Sequence, residues 1–497
     1  MLKKINLENY KVILFAAIIA RLIAVIFSQG YGMHDDHFLI IESSSSWANG
    51  ADYNDWLPWS KGNDGHPEGH SFSYVGLNYF YFAFMKLVGF TDPKILMLVN
   101  RLIHALASLV VVWYGMKIAE KISTRKNAVT IGWILALLWV MPNLSVRNLV
   151  EIAAVPFLVF GTWMLVKGSK SSYLLIGGLF IGMAVSFRYQ IGVFAIGLAI
   201  VYLFKKEFKS FFIFSLGTCI TFILTQGLVD GLIWGYPFAE LMAYVTYNMK
   251  EGTQYLPNSN YGMYFYVLAG CLLFPLGILM LIGFFRTYKK YALIFVPTIV
   301  FILFHTFYPN RQERFVLSIL PFFIILGVIG ISLFKEGNFF KRIEKLSFRA
   351  FWILNIPLLL VVSTMYSKQS RVESMYFLTT TDATNELILA EGSATGNLSM
   401  LPKFYANNWK SGVYELTDLN QLKDFEDNPA FDFIYFFDEK SLQKRINIYK
   451  KLFPKMHLVK KCYPSFMDAF LHNINPRNTN EYIEIWATEF QQNNTLK

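Results

Sequence analysis

Cysteine and charged residues are both scarce in this chain. Its 497 residues include three cysteines, Cys219, Cys271 and Cys462, and only 16% of the residues are charged. An odd number of cysteines, two of them within apolar runs, indicates neither a disulfide framework nor a thiolate metal site. The low charge content, with 54% hydrophobic residues and a mean hydropathy of +0.38, argues against an ordinary soluble enzyme. We therefore expect a multi-spanning membrane protein.

The few charges that are present have an excess of positive sign. The formal net charge is +11 and the pI is near 9.2. In a membrane protein, lysines and arginines anchor cytoplasmic loops, and this explains the excess without nucleic-acid binding. The expected partner is therefore the lipid bilayer and not a nucleic acid.

Apolar runs of the length that crosses a bilayer recur along the first 365 residues. The first run, roughly 10–28, contains Arg21 and follows Lys3 and Lys4. It lacks a small-residue cleavage site, which predicts a retained signal anchor with a cytoplasmic N-terminus. With the later runs it predicts about 11 transmembrane helices. The later runs lie near 95–117, 127–142, 149–166, 172–187, 190–204, 210–228, 263–285, 291–307, 314–334 and 349–365.

Segment 74–90 is apolar enough to cross but contains Asn78 and Lys86. If it crossed, the main basic clusters would lie outside, against the positive-inside rule. We therefore predict an interfacial helix within a long outer loop, 29–94, and a C-terminal region outside the membrane. The basic clusters that decide this are Lys117/Lys121/Arg125/Lys126, Lys205/Lys206/Lys209, Lys289/Lys290 and Lys335/Lys341/Arg342/Lys345.

Two adjacent carboxylates flanked by histidines follow the first apolar run, in the order His34, Asp35, Asp36, His37. Ionisable residues at the mouth of a membrane helix are costly to place, so they indicate a functional site. A metal cluster is the competing interpretation. The ligand types suit a metal, but adjacent side chains diverge and give poor spacing for a single ion.

A second set of charges is predicted at the outer ends of helices: Arg147, Arg188, Arg311 and Arg314. The forked guanidinium group suits phosphate, and an arginine at this depth needs a partner. Snorkelling, or pairing with Glu151 or Glu313, is the alternative for any single arginine. The four arginines together predict a site for an anionic lipid headgroup.

A long outer loop, about 229–262, is rich in aromatic rings and amides. Such a surface is expected for sugars, although an aromatic belt at the membrane interface is the alternative. A polar turn in the first outer loop, His66 to His70, either lines an acceptor channel or is a solvated loop. The candidate residues of the 229–262 loop are Asp230, Trp234, Tyr247, Asn248 and Tyr261.

These motifs together resemble the polytopic mannosyltransferases that use a polyprenyl-phosphate sugar, the dolichyl-phosphate-mannose-dependent group of the C-type glycosyltransferase (GT-C) superfamily. That family has the pattern H-P-D-E-H-F followed by an acidic residue, and this chain has Met33 to Phe38 followed by Glu42. The matches occur in order over about residues 10–330. Further matches are Asp230 to Gly235 with D-x-x-x-Y-G, then Tyr247-Asn248 and Tyr261-Gly262; His305 with Gln312-Glu313-Arg314-Phe315 for H-K-E-x-R-F; and Arg147 with Glu151.

The resemblance implies a GT-C fold and transfer of a hexose, with mannose expected, from a polyprenyl phosphate with inversion. Asp35 matches the family's catalytic aspartate and is expected to be the general base, with Asp36 as the alternative. His34 and His37 are expected to orient the acceptor or tune the carboxylates. The chain departs from the pattern in having Met33-His34 for H-P, Asp36 for Glu, and a longer interval between His305 and Gln312.

The last part of the chain is soluble in character. Alternating and β-branched runs at 431–438 and 481–488 predict strands, and 440–453 has helical spacing. We predict a small extracytoplasmic α/β domain at 366–497 that covers the site or helps to bind the acceptor, after a transmembrane catalytic domain at 1–365.

The sequence hypothesis is a membrane glycosyltransferase acting on an outside-facing glycan, lipid or protein, with no metal or cofactor expected. A transporter or flippase is the alternative from another class, but no internal repeat of the transporter kind is evident. Within the superfamily, transfer of an aminosugar to lipid A or of a sugar to protein Ser or Thr is the other alternative. A bacterial inner membrane is favoured over the endoplasmic reticulum.

Overall fold

The structure is a computed structural model. It describes residues 6–32, 36–62, 64–250, 260–334, 338–381, 386–396, 400–425, 431–474 and 481–488. The chain divides into two compact units, each built from separate stretches of sequence. The first unit contains Met1–Ile26, Asp55–Leu77 and Asn100–Thr364, and the second contains Phe27–Asn54, Asn78–Val99 and Met365–Lys497.

Most of the described chain is helical. In chain order the α-helices are α1 (Tyr10–Phe27), α2 (Ser43–Ala48), α3 (Phe72–Leu87), α4 (Pro93–Ile122), α5 (Arg125–Leu137), α6 (Met141–Leu144), α7 (Val150–Ala153), α8 (Val155–Lys167), α9 (Ser171–Phe187), α10 (Gly192–Phe204), α11 (Phe208–Phe222), α12 (Leu228–Trp234), α13 (Ala239–Lys250), α14 (Met263–Cys271), α15 (Leu276–Arg286), α16 (Ala292–Phe307), α17 (Leu320–Ser332), α18 (Asn338–Ser363), α19 (Gln369–Tyr376), α20 (Leu442–Leu452) and α21 (Phe466–Ile474). Short 3₁₀ turns are Tyr189–Ile191, Glu313–Ile319, Phe377–Thr380, Lys403–Ala406 and Leu419–Phe425, and π-helical segments are Asp36–Glu42 and Ile223–Gly227.

Several of these helices are long and apolar enough to cross a membrane. Among the described residues there are six, or up to seven if the bent pair α14 and α15 is one span. Shorter apolar helices are Ser171–Phe187, Tyr189–Phe204 and Ala292–Phe307. Every apolar run singled out in the sequence coincides with a helix, and the number of crossings stays a prediction. The six are Tyr10–Phe27, Pro93–Ile122, Val150–Lys167, Phe208–Trp234, Glu313–Ser332 and Phe339–Ser363.

Glycine allows close helix contacts in the first unit, such as the contact between α9 and α11. A Cβ on Gly178 would lie 2.2 Å from the carbonyl oxygen of Phe214, and one on Gly217 would lie 2.5 Å from that of Leu175. In a membrane the hydrophobic effect does not drive helices together, and small residues favour association because they let the backbones pack closely. The buried Arg21 of α1 is also accommodated in this unit, since Nε donates to Ser108 Oγ at 2.7 Å and Nη1 to the Ala136 carbonyl at 3.1 Å.

Helix α3 coincides with the predicted interfacial segment. It is 16 residues long and does not meet the length and hydropathy of a membrane span. Leu77, Phe80, Phe84 and Leu87 are all more than half exposed, and their spacing places them on one helical stripe. An exposed apolar stripe of this kind suits the membrane surface.

The second unit contains a five-stranded sheet with strand order β2-β1-β3-β5-β4. Strands β1 and β2 pair in parallel, as do β1 and β3, whereas β5 is antiparallel to both β3 and β4. The predicted strands at 431–438 and 481–488 are β3 and β5, and the predicted helix at 440–453 is α20. The strands are β1 (Leu387–Glu391), β2 (Gly412–Leu416), β3 (Phe433–Phe437), β4 (His457–Cys462) and β5 (Ile483–Ala487).

The core beside the sheet explains why these segments fold together. Ile434 and Phe436 on β3 pack with Ile446 and Tyr449 on α20, and all four are buried. The apolar face of α20 repeats at helical spacing, while its lysines face solvent. This unit also includes 27–54 and 78–99, stretches separated from the sheet by some three hundred residues of sequence.

Candidate active site

The structure brings four of the predicted site residues of the first unit into one charged cluster. Arg188 Nη2 lies 2.9 Å from Glu151 Oε1, and Arg314 Nε lies 3.7 Å from the same oxygen. Gln312 belongs to the cluster because its Oε1 accepts from Arg314 Nε at 2.8 Å. Arg188, Glu151, Arg314 and Gln312 are called the arginine cluster below.

Helix ends place these side chains. Arg188 follows the last residue of α9, and its Nε donates to Gln190 Oε1 at 2.8 Å. Arg314 lies in the 3₁₀ turn Glu313–Ile319, and Ser318 Oγ of that turn donates to the Glu151 carbonyl at 3.0 Å. This bond fixes α7, which carries Glu151, against the turn that carries Arg314.

An aromatic ring lies beneath both guanidinium groups. The Phe315 ring centroid is 5.3 Å from the guanidinium carbon of Arg188 and 5.9 Å from that of Arg314. Attraction between a cation and the face of a ring helps to hold the two arginines side by side. Phe315 therefore helps to hold the two guanidinium groups close to the same carboxylate.

The arginine cluster carries an excess of positive charge in a buried setting. The Glu151 side chain is 1% exposed, and Arg188 and Arg314 are 19% and 11% exposed. Two arginines and one glutamate leave a charge of one positive unit. Neither Glu151 oxygen accepts a hydrogen bond of good geometry from a described residue. The cluster can therefore accept an anion at the arginines and a hydrogen-bond donor at Glu151.

Two further predicted arginines lie in the first unit. The Arg311 guanidinium carbon is 4.6 Å from the Tyr261 ring centroid, and its Nε and Nη1 are buried without a hydrogen-bond partner among described residues. These donors are available to a ligand. Arg147 is buried in the turn before α7, four residues ahead of Glu151, whereas Glu313 is exposed. The carboxylate that pairs with the arginines is thus Glu151.

Residues of the 56–70 and 226–240 segments form a second polar network, around a glutamate that the sequence did not reveal. Glu240 is fully buried, and its Oε1 accepts from the indole nitrogens of Trp56 and Trp234, each at 2.9 Å. Its Oε2 accepts from the backbone nitrogens of Gly69 at 2.7 Å and His70 at 3.0 Å. One carboxylate therefore joins the turn at 66–70 to the start of α13.

The predicted Asp230 belongs to the same network. Its Oδ2 accepts from the Glu240 backbone nitrogen at 3.0 Å, and its Oδ1 accepts from Gln226 at 2.7 Å. Gln226 in turn accepts from Ser71 Oγ at 2.8 Å. Burial raises the pKa of Glu240 to about 7, although the hydrogen bonds from Trp56, His70, Gly69 and Trp234 act in the opposite direction. Asp230 and Glu240 thus join the turn at 66–70 to the segments that carry α12 and α13.

Helix α13 reaches the arginine cluster through tyrosines. The Tyr244 ring packs edge-on against Tyr189, with centroids 5.2 Å apart, and Tyr189 directly follows Arg188. Burial raises the pKa of Tyr244, and the nearby Arg188 lowers it in part. Gly69 lies so near that a Cβ on it would meet Tyr244 backbone atoms at 3.0 Å. The Glu240 network and the arginine cluster are therefore neighbours.

The other predicted site residues of the first unit lie outside the hydrogen bonds of these two networks described above. Asn248 accepts from the Tyr308 hydroxyl at Oδ1, 2.9 Å, and at its carbonyl oxygen, 2.8 Å. Tyr247 and Tyr261 are exposed. His305 is buried, and its Nδ1 bonds to the Phe301 carbonyl at 2.8 Å, while Nε2 has no partner among described residues.

The carboxylate segment, defined as residues 36–42, lies in the second unit and is π-helical. The i to i+5 geometry of a π-helix brings His37 Nε2 to 3.4 Å from Glu42 Oε1. The His37 ring stacks between Tyr31 and Tyr405, at centroid distances of 4.4 and 5.6 Å. Asp36 is buried at the start of the segment. Met33, His34 and Asp35 lie outside the described residues.

Residues near position 404 complete the environment of the carboxylate segment. The Phe404 backbone nitrogen donates to Glu42 Oε1 at 3.1 Å. The sequence does not indicate this contact, because 362 residues separate its partners and no motif marks positions 404–405. The predicted site residue His66 does not belong to this environment, since it is exposed on a loop of the first unit.

The family and the fold follow from comparisons with known proteins. The model of the Alg9-like mannosyltransferase family matches residues 12–395. A comparison with curated proteins finds no relative.

Solved structures with a similar fold cover most of this chain. ArnT from Cupriavidus metallidurans in the apo state has a TM-score of 0.60 at 10% identity, covering 96% of this chain and 97% of that one. ArnT bound to undecaprenyl phosphate has a TM-score of 0.57 at 9% identity over the same shares. The Archaeoglobus fulgidus oligosaccharyltransferase tethered with an acceptor peptide has a TM-score of 0.55 at 12% identity, covering 88% and 70%.

At these identities the likeness establishes the fold, which is the GT-C fold with a small C-terminal sheet domain. The family match confirms the resemblance drawn from the motifs and favours sugar transfer over transport. The chain belongs to the Alg9-like mannosyltransferase family and is a multi-pass membrane glycosyltransferase.

Proposed function

We propose that the protein transfers a hexose, mannose in the first instance, from a polyprenyl-phosphate donor to an acceptor outside the cytoplasm. The observation that carries this proposal is the arginine cluster with its net positive charge. A polyprenyl-phosphate sugar is a phosphodiester with one negative charge, which Arg188 and Arg314 can bind while Glu151 neutralises the remainder. The similar ArnT structure with bound undecaprenyl phosphate supports the donor class.

Arg311 supports the same assignment. Its buried Nε and Nη1, which have no hydrogen-bond partner among the described residues, can donate to a phosphate oxygen, and Tyr261 packs against the guanidinium. As the bond between carbon one and the phosphate oxygen breaks, negative charge grows on the phosphate. Fixed guanidinium groups stabilise that charge more in the transition state than in the ground state.

The proton of the acceptor hydroxyl goes to a carboxylate. The acceptor oxygen attacks carbon one of the sugar with inversion, the lipid phosphate leaves with the electron pair of the broken bond, and a base takes the hydroxyl proton. We assign Asp35 this role because it matches the catalytic position of the family pattern, with Asp36 as the alternative. His37 and Glu42 are assigned to hold the carboxylate segment in shape, since the π-helix brings them together.

A glycan, lipid or protein acceptor at the outer face of a bacterial inner membrane completes the proposal. Asp230 and Glu240 are proposed to shape the sugar-binding loops, because their network joins residues 56, 69–70 and 226–240. Tyr247, Asn248, His305 and the exposed His66 remain candidates for acceptor contacts.

The test is a transfer assay on the purified protein in proteoliposomes that also contain total lipids and glycans from the source membrane. A panel of polyprenyl-phosphate sugars is supplied, and release of polyprenyl phosphate is followed by mass spectrometry. We expect turnover with the mannose donor, and a loss of about 100-fold or more in the Asp35→Asn variant. Asp64→Asn, a change in an exposed loop residue, is the matched control and is expected to keep full activity.

The possible results separate the parts of the proposal. Full activity in both Asp35→Asn and Asp36→Asn would overturn the assignment of the base. Preference for another sugar would overturn the mannose assignment, and no turnover with any lipid-linked sugar would overturn the donor class.

A further inference from the structure

A large groove lies in the first unit between α5, α15, α17 and α18. Its volume is about 740 Å³, within the range of about 300–1,000 Å³ that small-molecule sites occupy. None of the residues of the arginine cluster or of the Glu240 network lines it. The proposed function leaves this groove unexplained.

One end of the groove is apolar and lies beside the contact between α18 and the end of α5. Asn355 of α18 is fully buried, and its side chain donates to the Leu137 carbonyl at 2.7 Å and accepts from the Trp139 backbone nitrogen at 2.9 Å. These two bonds join α18 to the end of α5. Toward this end the walls are apolar, with contributions from Leu279, Ile356 and Trp352.

The other end of the groove is polar and cationic. Lys126 at the start of α5 and Lys341 at the start of α18 line it, and both are exposed. Asn127 and Ser332 lie between them, with Asn127 Nδ2 donating to Ser332 Oγ at 2.9 Å. Glu344 also lines the groove, and the exposed Arg125 and Arg342 adjoin the two lysines, so the mouth keeps a positive charge.

The mouth and the arginine cluster lie at opposite ends of one membrane span. The span Glu313–Ser332 begins beside Arg314 and ends at Ser332 in the mouth. Its seven 3₁₀ and thirteen α-helical residues together rise about 34 Å, enough to cross the hydrocarbon core of about 30 Å. The mouth is therefore at the headgroup level of the leaflet opposite to the arginine cluster.

The depth of the groove corresponds to about one leaflet. From Thr124 to Leu137, both of which line it, α5 rises about 20 Å, compared with about 15 Å for half of the hydrocarbon core. A groove of this depth, apolar beyond its polar mouth, suits acyl chains, and its apolar part would be costly to fill with water. Two exposed lysines at the headgroup level add attraction for an anionic headgroup.

We propose that this groove is a binding site for an anionic phospholipid of the leaflet opposite to the arginine cluster. The acyl chains lie along α5 and α18, and the phosphate is held between Lys126 and Lys341. The groove is distinct from the donor site because its cations are about one bilayer away from Arg314. The bound lipid fills the space that α5 and α18 leave open, and so supports the packing of α18.

The test uses tryptophan fluorescence, because Trp133 and Trp352 both line the groove. The full-length protein in lipid nanodiscs receives phosphatidylglycerol or phosphatidylcholine with brominated acyl chains over the same series of mole fractions, and quenching is measured at each. We expect brominated phosphatidylglycerol to quench at about fivefold lower mole fraction than brominated phosphatidylcholine. Trp352→Phe should remove most of this lipid-dependent difference.

The paired variants decide whether the lysines select the lipid. Lys126→Gln with Lys341→Gln should abolish the preference for phosphatidylglycerol. Lys205→Gln with Lys209→Gln, at exposed positions just after α10 and in the first turn of α11, should retain it. Equal quenching by the two lipids in the wild-type protein would overturn the proposal. Displacement of brominated phosphatidylglycerol by equimolar undecaprenyl phosphate would also overturn it, since the groove would then belong to a polyprenyl lipid. Sugar transfer is not measured, so these results are independent of the proposed function.

Discussion

The Glu151 carboxylate lies 2.9 Å from the Arg188 guanidinium, and both belong to the first unit. Arg314 approaches the same oxygen from the 3₁₀ turn before α17. A single buried carboxylate therefore holds two arginines together without cancelling their charge. This relationship gives the first two predictions.

Replacing either arginine by glutamine should weaken use of the donor. A hydrogen bond to a charged group contributes about 1.5–3 kcal/mol, which corresponds to a fall of about 10- to 100-fold in kcat/KM for the lipid-linked sugar. Arg188→Gln and Arg314→Gln are compared with Arg349→Gln, a change at an exposed position of α18. The measurement is donor titration at saturating acceptor. A change confined to the KM of the acceptor would place the phosphate elsewhere.

Replacing Glu151 by glutamine should destabilise the protein. Two guanidinium groups then face each other with no carboxylate between them, and breaking a buried ion pair costs about 3 kcal/mol. Thermal unfolding in detergent measures the loss. Undecaprenyl phosphate should restore part of the stability, because a bound phosphate then balances the arginines.

Glu120→Gln is the control for this change. Glu120 pairs with Lys117 at 3.0 Å and Arg125 at 3.9 Å, but its side chain is 32% exposed, so its loss should cost less than about 1 kcal/mol. Equal losses of stability in Glu151→Gln and Glu120→Gln would contradict the structural role assigned to Glu151.

The sequence predicts the arginine cluster in part. Charges at apolar helix ends are costly and need partners, and this points to Arg188, Arg314 and Glu151. Whether Glu151 or Glu313 supplies the carboxylate depends on the direction in which the turn at 313–319 points its side chains. That direction is set by tertiary contacts such as the Ser318 bond to Glu151, which no local pattern records.

The burial of Glu240 could not be predicted from the sequence at all. A glutamate in the first turn of a helix usually interacts with the helix dipole at the surface. Here it is buried because two tryptophans and the backbone of Gly69 and His70, about 170 residues away, donate to it. The helices themselves were predictable, since apolar runs of membrane length leave few other structures available.

The buried Glu240 should make stability depend on pH. Burial raises the pKa of Glu240 from 4.5 to about 7, so the folded protein binds a proton that the unfolded chain releases between these values. Its contribution to stability is present below pH 4.5 and is lost as pH rises through 7, with a slope of up to about 1.4 kcal/mol per pH unit. Glu240→Gln cannot titrate and should remove this component.

The measurement is the midpoint of thermal unfolding in detergent at pH 5 and pH 8. The difference between the two midpoints should be smaller in Glu240→Gln than in the wild-type protein, and unchanged in Glu207→Gln, which lies at the exposed start of α11. If Glu240→Gln retained the full difference, another group would be responsible for it.

Helix α3 should lie in the membrane interface with its exposed stripe toward the acyl chains. A nitroxide label at Phe84→Cys, on the stripe, should be more accessible to oxygen than to a water-soluble nickel complex. A label at Lys86→Cys, two residues on, should show the opposite preference. The comparison uses power-saturation electron paramagnetic resonance in liposomes. Equal accessibility of both labels to the nickel complex would contradict the interfacial placement.

The last prediction concerns Tyr405, which stacks on His37 in the second unit at a centroid distance of 5.6 Å. Loss of this ring in Tyr405→Leu removes one wall of the His37 site, while Tyr405→Phe keeps the ring. Since His37 follows Asp36 directly and the segment is buried, misplacing the ring should disturb the carboxylates by a fraction of an ångström. Such misplacement of a reacting group commonly costs about tenfold or more in rate.

We therefore expect Tyr405→Leu to lower kcat about tenfold with little change in the KM of the donor, because the lipid phosphate is assigned to the arginines of the first unit. Tyr405→Phe should have nearly wild-type kcat, and this rescue distinguishes positioning by the ring from a role of the hydroxyl. Glu42→Gln should act in the same direction as Tyr405→Leu, because Glu42 Oε1 accepts from the Phe404 backbone nitrogen and holds the same contact from the other side. A rise in donor KM at unchanged kcat in Tyr405→Leu would instead assign residues 404–405 to donor binding, and the carboxylate segment would then not need their support.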